Sequence, residues 1–321
     1  MKRRSFLSLG PSGFHRLAYM EWGDPDNPHV VVCVHGLSRN SRDFDYLAQA
    51  LSARCRVVCM DVVGRGDSAW LDDKSGYSFS TYLSDAAALI ARVTTPPRER
   101  RFALPAVRRR MATLPRLDWV GTSMGGLIGM LLAAKEGSPI GRLVLNDVGP
   151  FVPWNGLFRL KGHIGRRRSF ASLRDARAFL REACVGFGPL REEHWEHLVR
   201  NSVRRDDAGG WQLRYDPDIG TRWPTQPDPE LPIGPEFLRG IDLWTVWNAV
   251  RCPVLVLRGA DSDVLLEGTV EEMRRRKPDT QVVQFPGVGH VPALYDKAQI
   301  DAVRSFVLDR EAATERRRAV A

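Results

Sequence analysis

The sequence has few cysteines, and their spacing shows no pairing. The five cysteines among 321 residues are an odd number, which excludes a disulfide framework as the basis of the fold. Three of them, Cys33, Cys59 and Cys252, lie in or beside apolar runs and are expected to act as small core residues. Such cysteine usage is typical of a reducing compartment, so a cytoplasmic location is expected.

Long apolar runs are also missing. No run approaches the roughly 20 residues that a membrane-spanning helix requires, so no membrane span is expected. Residues 1–7 resemble a twin-arginine export motif. An export signal would continue with an apolar stretch of about 7–15 residues. A Gly-Pro-Ser-Gly turn at 10–13 and charged residues follow instead, and export is not expected.

Basic residues outnumber acidic ones, but they form no recognisable binding module. Lys and Arg total 47 against 38 Asp and Glu, a net charge of +9. The arginines are scattered in short clusters, and no signature of a nucleic-acid-binding module is present. A solvated basic surface is therefore expected, with no nucleic acid as partner. His194 and His197 lack a third ligand, so neither a metal nor another cofactor is expected.

Apolar runs alternate with helical patterns along most of the chain. The β-branched run at 30–34 predicts a strand buried on both faces. Further strands are predicted at 14–22, 56–60, 117–120, 142–145, 253–257 and 281–285. Helices are predicted at 43–51, 79–93, 172–184, 192–203 and 298–308, and directly after Ser123. This alternation predicts an α/β fold with a mostly parallel, doubly wound sheet.

The alternation breaks between residues 149 and 248. This segment holds six of the nine tryptophans and many prolines, and it predicts a helical lid inserted into the sheet domain. The predicted division is a first core part at 1–148, the lid at 149–248 and a second core part at 249–321. A second, basic interruption at 94–116 is predicted to be a surface excursion.

Four lid tryptophans are candidate walls of a substrate pocket. They would supply apolar surface for an acyl or aryl group under the lid, and they are Trp154, Trp195, Trp211 and Trp223. The alternative for any one of them is packing within the lid's own small core. The sequence leaves both interpretations open.

A Gly-x-Ser-x-Gly motif at 121–125 lies between the predicted strand 117–120 and an apolar helix start. A strained turn that lifts a hydroxyl out of a sheet leaves no room for side chains beside it, which explains the outer glycines. Ser123 is therefore the predicted nucleophile.

A serine hydroxyl needs a base to remove its proton during attack. His290 is the best candidate, because it lies in a Gly-rich loop after the last predicted strand. The base in turn needs a carboxylate that fixes its tautomer. Asp263, in the loop after the strand at 253–257, is favoured; Asp261 in the same loop is the second choice. Asp147 is a third option, interpreted as a structural turn residue.

The oxyanion that forms on attack needs preorganised donors. The backbone N–H of Met124, directly after the nucleophile, is one predicted donor. The second is predicted to be the N–H of Leu37, which follows the strand at 30–34. Gly36 beside it is expected to contact substrate, and His35 is expected to shape the loop.

Taken together, these motifs resemble the α/β-hydrolase superfamily, specifically its lid-bearing bacterial esterase and hydrolase branch. The resemblance rests on segments 35–36, 61–68, 121–126, 146–150 and 289–290, which appear in the expected order. It implies an α/β-hydrolase fold. It also implies a scaffold role for the turn at 61–68. Many relatives place a carboxylate three residues after the glycine at 259, and this chain has Ser262 there.

The expected activity is hydrolysis of a small-molecule carboxylic ester or lactone through an acyl-serine intermediate. Relatives with the same triad cleave carbon–carbon bonds, so a carbon–carbon bond hydrolase is one alternative. A non-hydrolytic ligand-binding member is another, since fold alone does not fix function. The sequence is also compatible with a homo-oligomer.

Overall fold

The computed structural model describes residues 1–95, 115–164, 168–220 and 239–309. Most of the basic interruption at 94–116 lies outside these residues, and so does Trp223. Nothing therefore tests the predicted surface excursion.

The centre of the molecule is an eight-stranded sheet. Its strands are β1 Lys2–Gly10, β2 Gly13–Trp22, β3 His29–Val34, β4 Arg56–Asp61, β5 Arg116–Thr122, β6 Ile140–Asn146, β12 Val254–Gly259 and β13 Gln281–Phe285. Their order across the sheet is β1-β2-β4-β3-β5-β6-β12-β13. The six neighbouring strands from β4 to β13 pair in parallel, whereas β1–β2 and β2–β4 are antiparallel. The predicted mostly parallel sheet is present.

Helices cover both faces of this sheet. Those of the core are α1 Asp45–Leu51, α2 Phe79–Thr94, α3 Met124–Ala133, α8 Glu267–Arg276 and α9 Lys297–Leu308. Helices α1 and α9 share one apolar cluster with one face, and α2, α3 and α8 share a larger cluster with the other. Strand β3 faces both clusters, which explains its unbroken β-branched sequence.

The first strand was not expected from the sequence. Residues 2–10 pair antiparallel with β2 along their whole length and form the edge of the sheet. The two arginines of the export-like motif form ion pairs there, Arg3 with Asp67 and Arg4 with Glu21. The glycine at position 13 adopts a φ of 119°, which allows the tight reversal between β1 and β2.

The inserted segment is more mixed than predicted. Its helices are α4 Trp154–His163, α5 Leu173–Ala183, α6 Glu192–Ser202 and α7 Trp244–Ala249. It also contains two small antiparallel sheets, one of β7 Phe151–Pro153 with β11 Gly240–Asp242, the other of β8 Ser169–Phe170, β9 Val203–Arg205 and β10 Trp211–Leu213. Strands of two or three residues leave almost no periodicity in a sequence. The exact division at 149–248 stays a prediction.

The structure bears on two expectations from composition, the role of the cysteines and the lack of a membrane-spanning helix. All five cysteines are buried and form no disulfide, which confirms the core role of Cys33, Cys59 and Cys252. Across the described ranges, helices that combine the length and the apolar character needed to cross a membrane are absent. The cytoplasmic location and the state of assembly stay predictions.

Candidate active site

The Gly-x-Ser-x-Gly motif forms a sharp turn between β5 and α3. Ser123 has φ 50° and ψ −115°, a strained conformation for a residue with a side chain. A Cβ added to Gly121 would lie 2.2 Å from the Gly125 carbonyl oxygen, and one on Gly125 would lie 2.0 Å from the Val34 carbonyl oxygen. The motif glycines are thus required for the close approach that places Ser123 above the sheet edge.

Three side chains distant in sequence meet above this turn. His290, in the loop after β13, places Nε2 3.0 Å from Ser123 Oγ. Its Nδ1 lies 2.7 Å from Asp147 Oδ2. The Asp147 side chain is fully buried, and 5% of the His290 side chain is exposed to solvent. The arrangement is one in which Nδ1–H donates to the carboxylate, leaving Nε2 to accept a proton from the hydroxyl.

The carboxylate beside His290 was expected to be Asp263, and the structure corrects this to Asp147. The Asp263 carboxylate instead accepts two hydrogen bonds from Arg159 of α4, at 2.5 and 2.7 Å. Those bonds hold the pKa of Asp263 below its usual value. Asp261, the second choice, lies in the same loop with its side chain exposed to solvent.

Asp147 is held by a set of hydrogen bonds that its sequence position did not reveal. Its backbone φ is 55°, and its Oδ1 accepts the Gly259 N–H at 2.9 Å. The Ser262 hydroxyl donates to Oδ2 at 2.6 Å. Strands β6 and β12 are parallel neighbours, so the residues that follow both strands lie at the same edge of the sheet. Ser262 thus supports the carboxylate from the neighbouring strand.

The two residues predicted to hold the oxyanion line the same pocket as Ser123. In the described residues, the backbone N–H groups of Leu37 and Met124 have no hydrogen-bond partner. Their role as oxyanion donors stays a prediction. His35 is fully buried; its Nδ1 lies 2.7 Å from the Gly36 carbonyl oxygen, and its Nε2 accepts the Val62 N–H. Burial lowers its pKa to about 4. His35 is therefore a neutral part of the loop.

Arg65 is a buried cation whose place at the site was not anticipated. It belongs to the turn at 61–68 and has no solvent exposure. Its Nε donates to the Leu37 carbonyl at 2.9 Å, and its Nη2 lies 3.8 Å from the Met124 sulfur. Arg65 thus contacts both segments that carry the predicted oxyanion donors. The motif was assigned to scaffold, and this contact shows which loop the scaffold supports.

The cavity around Ser123 has two lobes. The apolar lobe, about 580 Å³, is lined by Leu37, Tyr77, Ser78, Phe79, Tyr82, Ser123, Met124, Leu127, Val148, Val152, Leu157, Ile219 and Val264. The second lobe, about 1030 Å³, is also largely apolar, with walls that include Phe179, Leu180, Phe187 and Leu213. We call it the charged lobe because Arg39, Asp43 and Arg159 line it together with Gly36, Leu37, Ser123 and His290. Ser123 and Leu37 line both lobes, so a substrate bound at the hydroxyl can extend in two directions.

Known proteins share the fold of this chain. Residues 31–302 match the family model described as the alpha/beta hydrolase family. The chain belongs to the α/β hydrolase family. The fold class and the superfamily expected from the sequence are thereby confirmed.

Relatives of this α/β hydrolase are named as enzymes. It is 40% identical over 301 residues to a 3-hydroxybutyrate-oligomer hydrolase of Cupriavidus necator. The aligned residues cover 93% of this chain and 94% of that protein. An esterase of Mycobacterium tuberculosis is 26% identical over 299 residues, covering 91% and 84%. The crystal structure of an alpha/beta hydrolase from Novosphingobium aromaticivorans has a TM-score of 0.77 at 32% identity, covering 95% and 97%. The chain is a hydrolase of this family.

The tryptophans do not form the walls of this hydrolase's cavity in its described part. Trp154 opens α4 and packs against Phe158, and Trp211 lies in β10 beneath the guanidinium of Arg205. Neither these two nor Trp195 lines a lobe of the cavity, where smaller apolar residues of the lid lie instead. Contact of the tryptophans with substrate stays a prediction. Trp223 lies outside the described residues.

Replacing Ser262 with alanine tests the support of Asp147. The change removes one donor to the buried carboxylate, and loss of a hydrogen bond to a charged group costs about 1.5–3 kcal/mol. We expect kcat on a p-nitrophenyl ester to fall by about tenfold or more, with KM little altered. Stopped-flow or steady-state rates would measure it. An unchanged kcat in a correctly folded variant would show that Asp147 does not depend on this hydroxyl.

Proposed function

We propose that this α/β hydrolase cleaves carboxylic esters through an acyl-serine intermediate. The observation that carries the proposal is the continuous hydrogen-bonded chain from Ser123 Oγ through His290 to the buried Asp147. A serine, an imidazole and a carboxylate in this order are the parts that nucleophilic acyl transfer needs.

In the first half-reaction, Ser123 Oγ attacks the ester carbonyl carbon while His290 Nε2 takes the hydroxyl proton. Asp147 accepts the Nδ1–H bond and stabilises the imidazolium that forms. The carbonyl oxygen becomes an oxyanion that accepts hydrogen bonds from the backbone N–H groups of Leu37 and Met124. The tetrahedral intermediate then expels the alcohol, whose oxygen takes the proton from Nε2. Ser123 is left acylated.

In the second half-reaction, a water molecule replaces the alcohol. His290 Nε2 removes a proton from this water, and the hydroxide attacks the acyl carbon. The same two N–H groups hold the second oxyanion. Collapse breaks the bond to Ser123 Oγ, which takes the proton back from Nε2. The products are one carboxylic acid and the alcohol released earlier.

For the substrate class, we propose short linear esters of hydroxy acids. The Cupriavidus relative, similar over nearly its full length, is named for 3-hydroxybutyrate oligomers. A linear ester has an acyl part and an alcohol part that extend in opposite directions from the carbonyl, which fits two lobes meeting at Ser123. A lactone, the other predicted class, keeps both parts in one ring and would leave a lobe unfilled.

A substrate panel tests the proposed function. The purified chain would be assayed with p-nitrophenyl esters from acetate to octanoate and with the dimer and trimer of 3-hydroxybutyrate. We expect turnover of the short esters and of both oligomers, with kcat/KM falling once the acyl chain outgrows the apolar lobe. Absence of turnover on every ester, while a ligand still quenches tryptophan fluorescence, would instead support a non-hydrolytic binding protein.

A further inference from the structure

The two lobes differ in which part of the proposed machinery each one contains. Met124, whose N–H faces the oxyanion, lines only the apolar lobe, whereas His290 lines only the charged lobe. The departing alcohol oxygen must receive its proton from the imidazole. The alcohol part of the ester therefore lies in the charged lobe, and the acyl part lies in the apolar lobe.

Two arginines line the charged lobe, and they differ in how many guanidinium nitrogens have a partner in the described part of the chain. Arg39 is buried, with Nε and Nη2 on Asp43 and Nη1 on Ser202 Oγ. Every nitrogen of its guanidinium is thus used within the protein. Arg39 and Asp43 form a closed, neutral pair that would lose these bonds if it turned toward a ligand.

Arg159 is arranged differently. Its Nε and Nη2 donate to the two oxygens of Asp263, and its Nη1 has no partner within the described part of the chain. About two fifths of the side chain is exposed. A guanidinium offers five N–H donors in one plane. The edge of Arg159 formed by Nη1 and Nη2 can therefore still bind both oxygens of a second carboxylate.

A hydroxy-acid oligomer presents its free carboxylate on the alcohol side of its last ester bond. In a 3-hydroxybutyrate dimer, the alcohol oxygen and the terminal carboxylate belong to the same unit and are separated by two carbons. Binding the alcohol part in the charged lobe therefore brings a carboxylate into the lobe that holds Arg159.

We propose that Arg159 binds the free carboxylate of the leaving hydroxy acid, so that this hydrolase cleaves the ester bond next to the carboxyl end of its substrate. Asp263 is the counterion that holds the guanidinium in place before substrate arrives, and its negative charge opposes the binding of the substrate carboxylate at the other edge. Asp263 thus has a role in selectivity in place of the triad role expected from sequence. The inference rests on the proposed ester hydrolysis.

The test compares two dimers of 3-hydroxybutyrate, one with a free terminal carboxylate and one with that group as a primary amide. Release of the terminal unit would be followed by liquid chromatography. In the unchanged protein, we expect kcat/KM to favour the acid over the amide by about 10- to 100-fold, the range of a hydrogen bond to a charged group. In Arg159→Gln we expect this ratio to approach one, mainly through a higher KM for the acid.

The variant Asp263→Asn separates recognition from a purely structural contact. Removing the opposing negative charge should raise the acid-to-amide ratio several-fold, opposite to the effect of Arg159→Gln. If the Arg159–Asp263 pair only fastens α4 to the core, each variant would lower kcat/KM for the acid and for the amide by the same factor. That result would overturn the proposal. Arg174→Gln is the matched control, because Arg174 is exposed on α5 of the same lid and lines neither lobe.

This inference and the proposed function fail in different ways. Equal cleavage of acid and amide by the unchanged protein would overturn the role of Arg159 and leave ester hydrolysis intact. Absence of cleavage of both dimers and of every p-nitrophenyl ester would overturn the proposed function itself. If Arg159→Gln does not fold, Arg159→Lys retains the charge but loses the planar fork, and a reduced acid-to-amide ratio is again expected.

Discussion

Ser123→Ala is expected to lower kcat on p-nitrophenyl butyrate by about 10⁶-fold, to a rate supported by binding and the oxyanion donors alone. Alanine retains the Cβ and the backbone turn but has no atom to form the acyl bond. The backbone at this position already has φ 50°, and alanine accepts it no worse than serine does. The thermal midpoint should therefore change little.

Initial rates and a thermal melt, taken on the same preparation, check this prediction. Ser5→Ala, in the exposed part of β1, is the matched control and should retain full activity. A Ser123→Ala variant that keeps more than about one per cent of kcat would mean that another group attacks the carbonyl. In that case the hydrogen bond from Ser123 to His290 would have no catalytic role.

Asp147→Asn is expected to lower kcat by about 10⁴-fold with little change in KM. An amide in this position can donate toward Nδ1, which favours the tautomer with its proton on Nε2. That tautomer is unable to accept the hydroxyl proton, and the imidazolium of the transition state loses its countercharge. The size of the loss separates a catalytic carboxylate from the structural turn residue that the sequence suggested.

The same measurement on the other two carboxylates identifies the acid. Asp261→Asn is the matched control, because the Asp261 side chain is exposed and lies in the loop after β12. The kcat of this variant should stay within about twofold of that of the unchanged protein. Asp263→Asn should lose far less than Asp147→Asn, since its carboxylate lies on Arg159. If Asp263→Asn were the strongly impaired variant, the pairing of His290 with Asp147 would be incidental.

Sequence reasoning predicted the sheet and two of the three converging side chains because their signals are local. An unbroken β-branched run predicts β3, and glycines flanking a serine predict the turn at Ser123. A histidine in a Gly-rich loop after the last strand identifies His290. Each signal depends on a few neighbouring residues, and the structure places all of them as expected.

The carboxylate could not be predicted in the same way. Asp147 and Asp263 follow neighbouring parallel strands, so both loops lie at the same edge of the sheet. The choice depends on which carboxylate the lid engages: Arg159 of α4 binds Asp263, and the Ser262 hydroxyl supports Asp147. Ser262 at a position where many relatives have a carboxylate was the one available signal.

The packing of the lid tryptophans and the first strand could not be predicted, for related reasons. The lid tryptophans suggested a cavity lining, but stacking on an arginine or on a neighbouring ring depends on contacts between segments far apart in sequence. Strand β1 lies at the edge of the sheet and pairs through its backbone. Because its side chains are mostly exposed, they show no apolar pattern that would predict a strand.

The central claim is that Ser123 attacks the carbonyl with His290 and Asp147 as its base and carboxylate. Peptide-level mass spectrometry after treatment with a fluorophosphonate tests it most directly, because this reagent phosphonylates an activated serine. The account predicts one adduct on the peptide carrying Ser123, formed rapidly in the unchanged protein and far more slowly in His290→Ala and Asp147→Asn. An adduct on another residue, or an unlabelled Ser123 in protein that still hydrolyses esters, would contradict it.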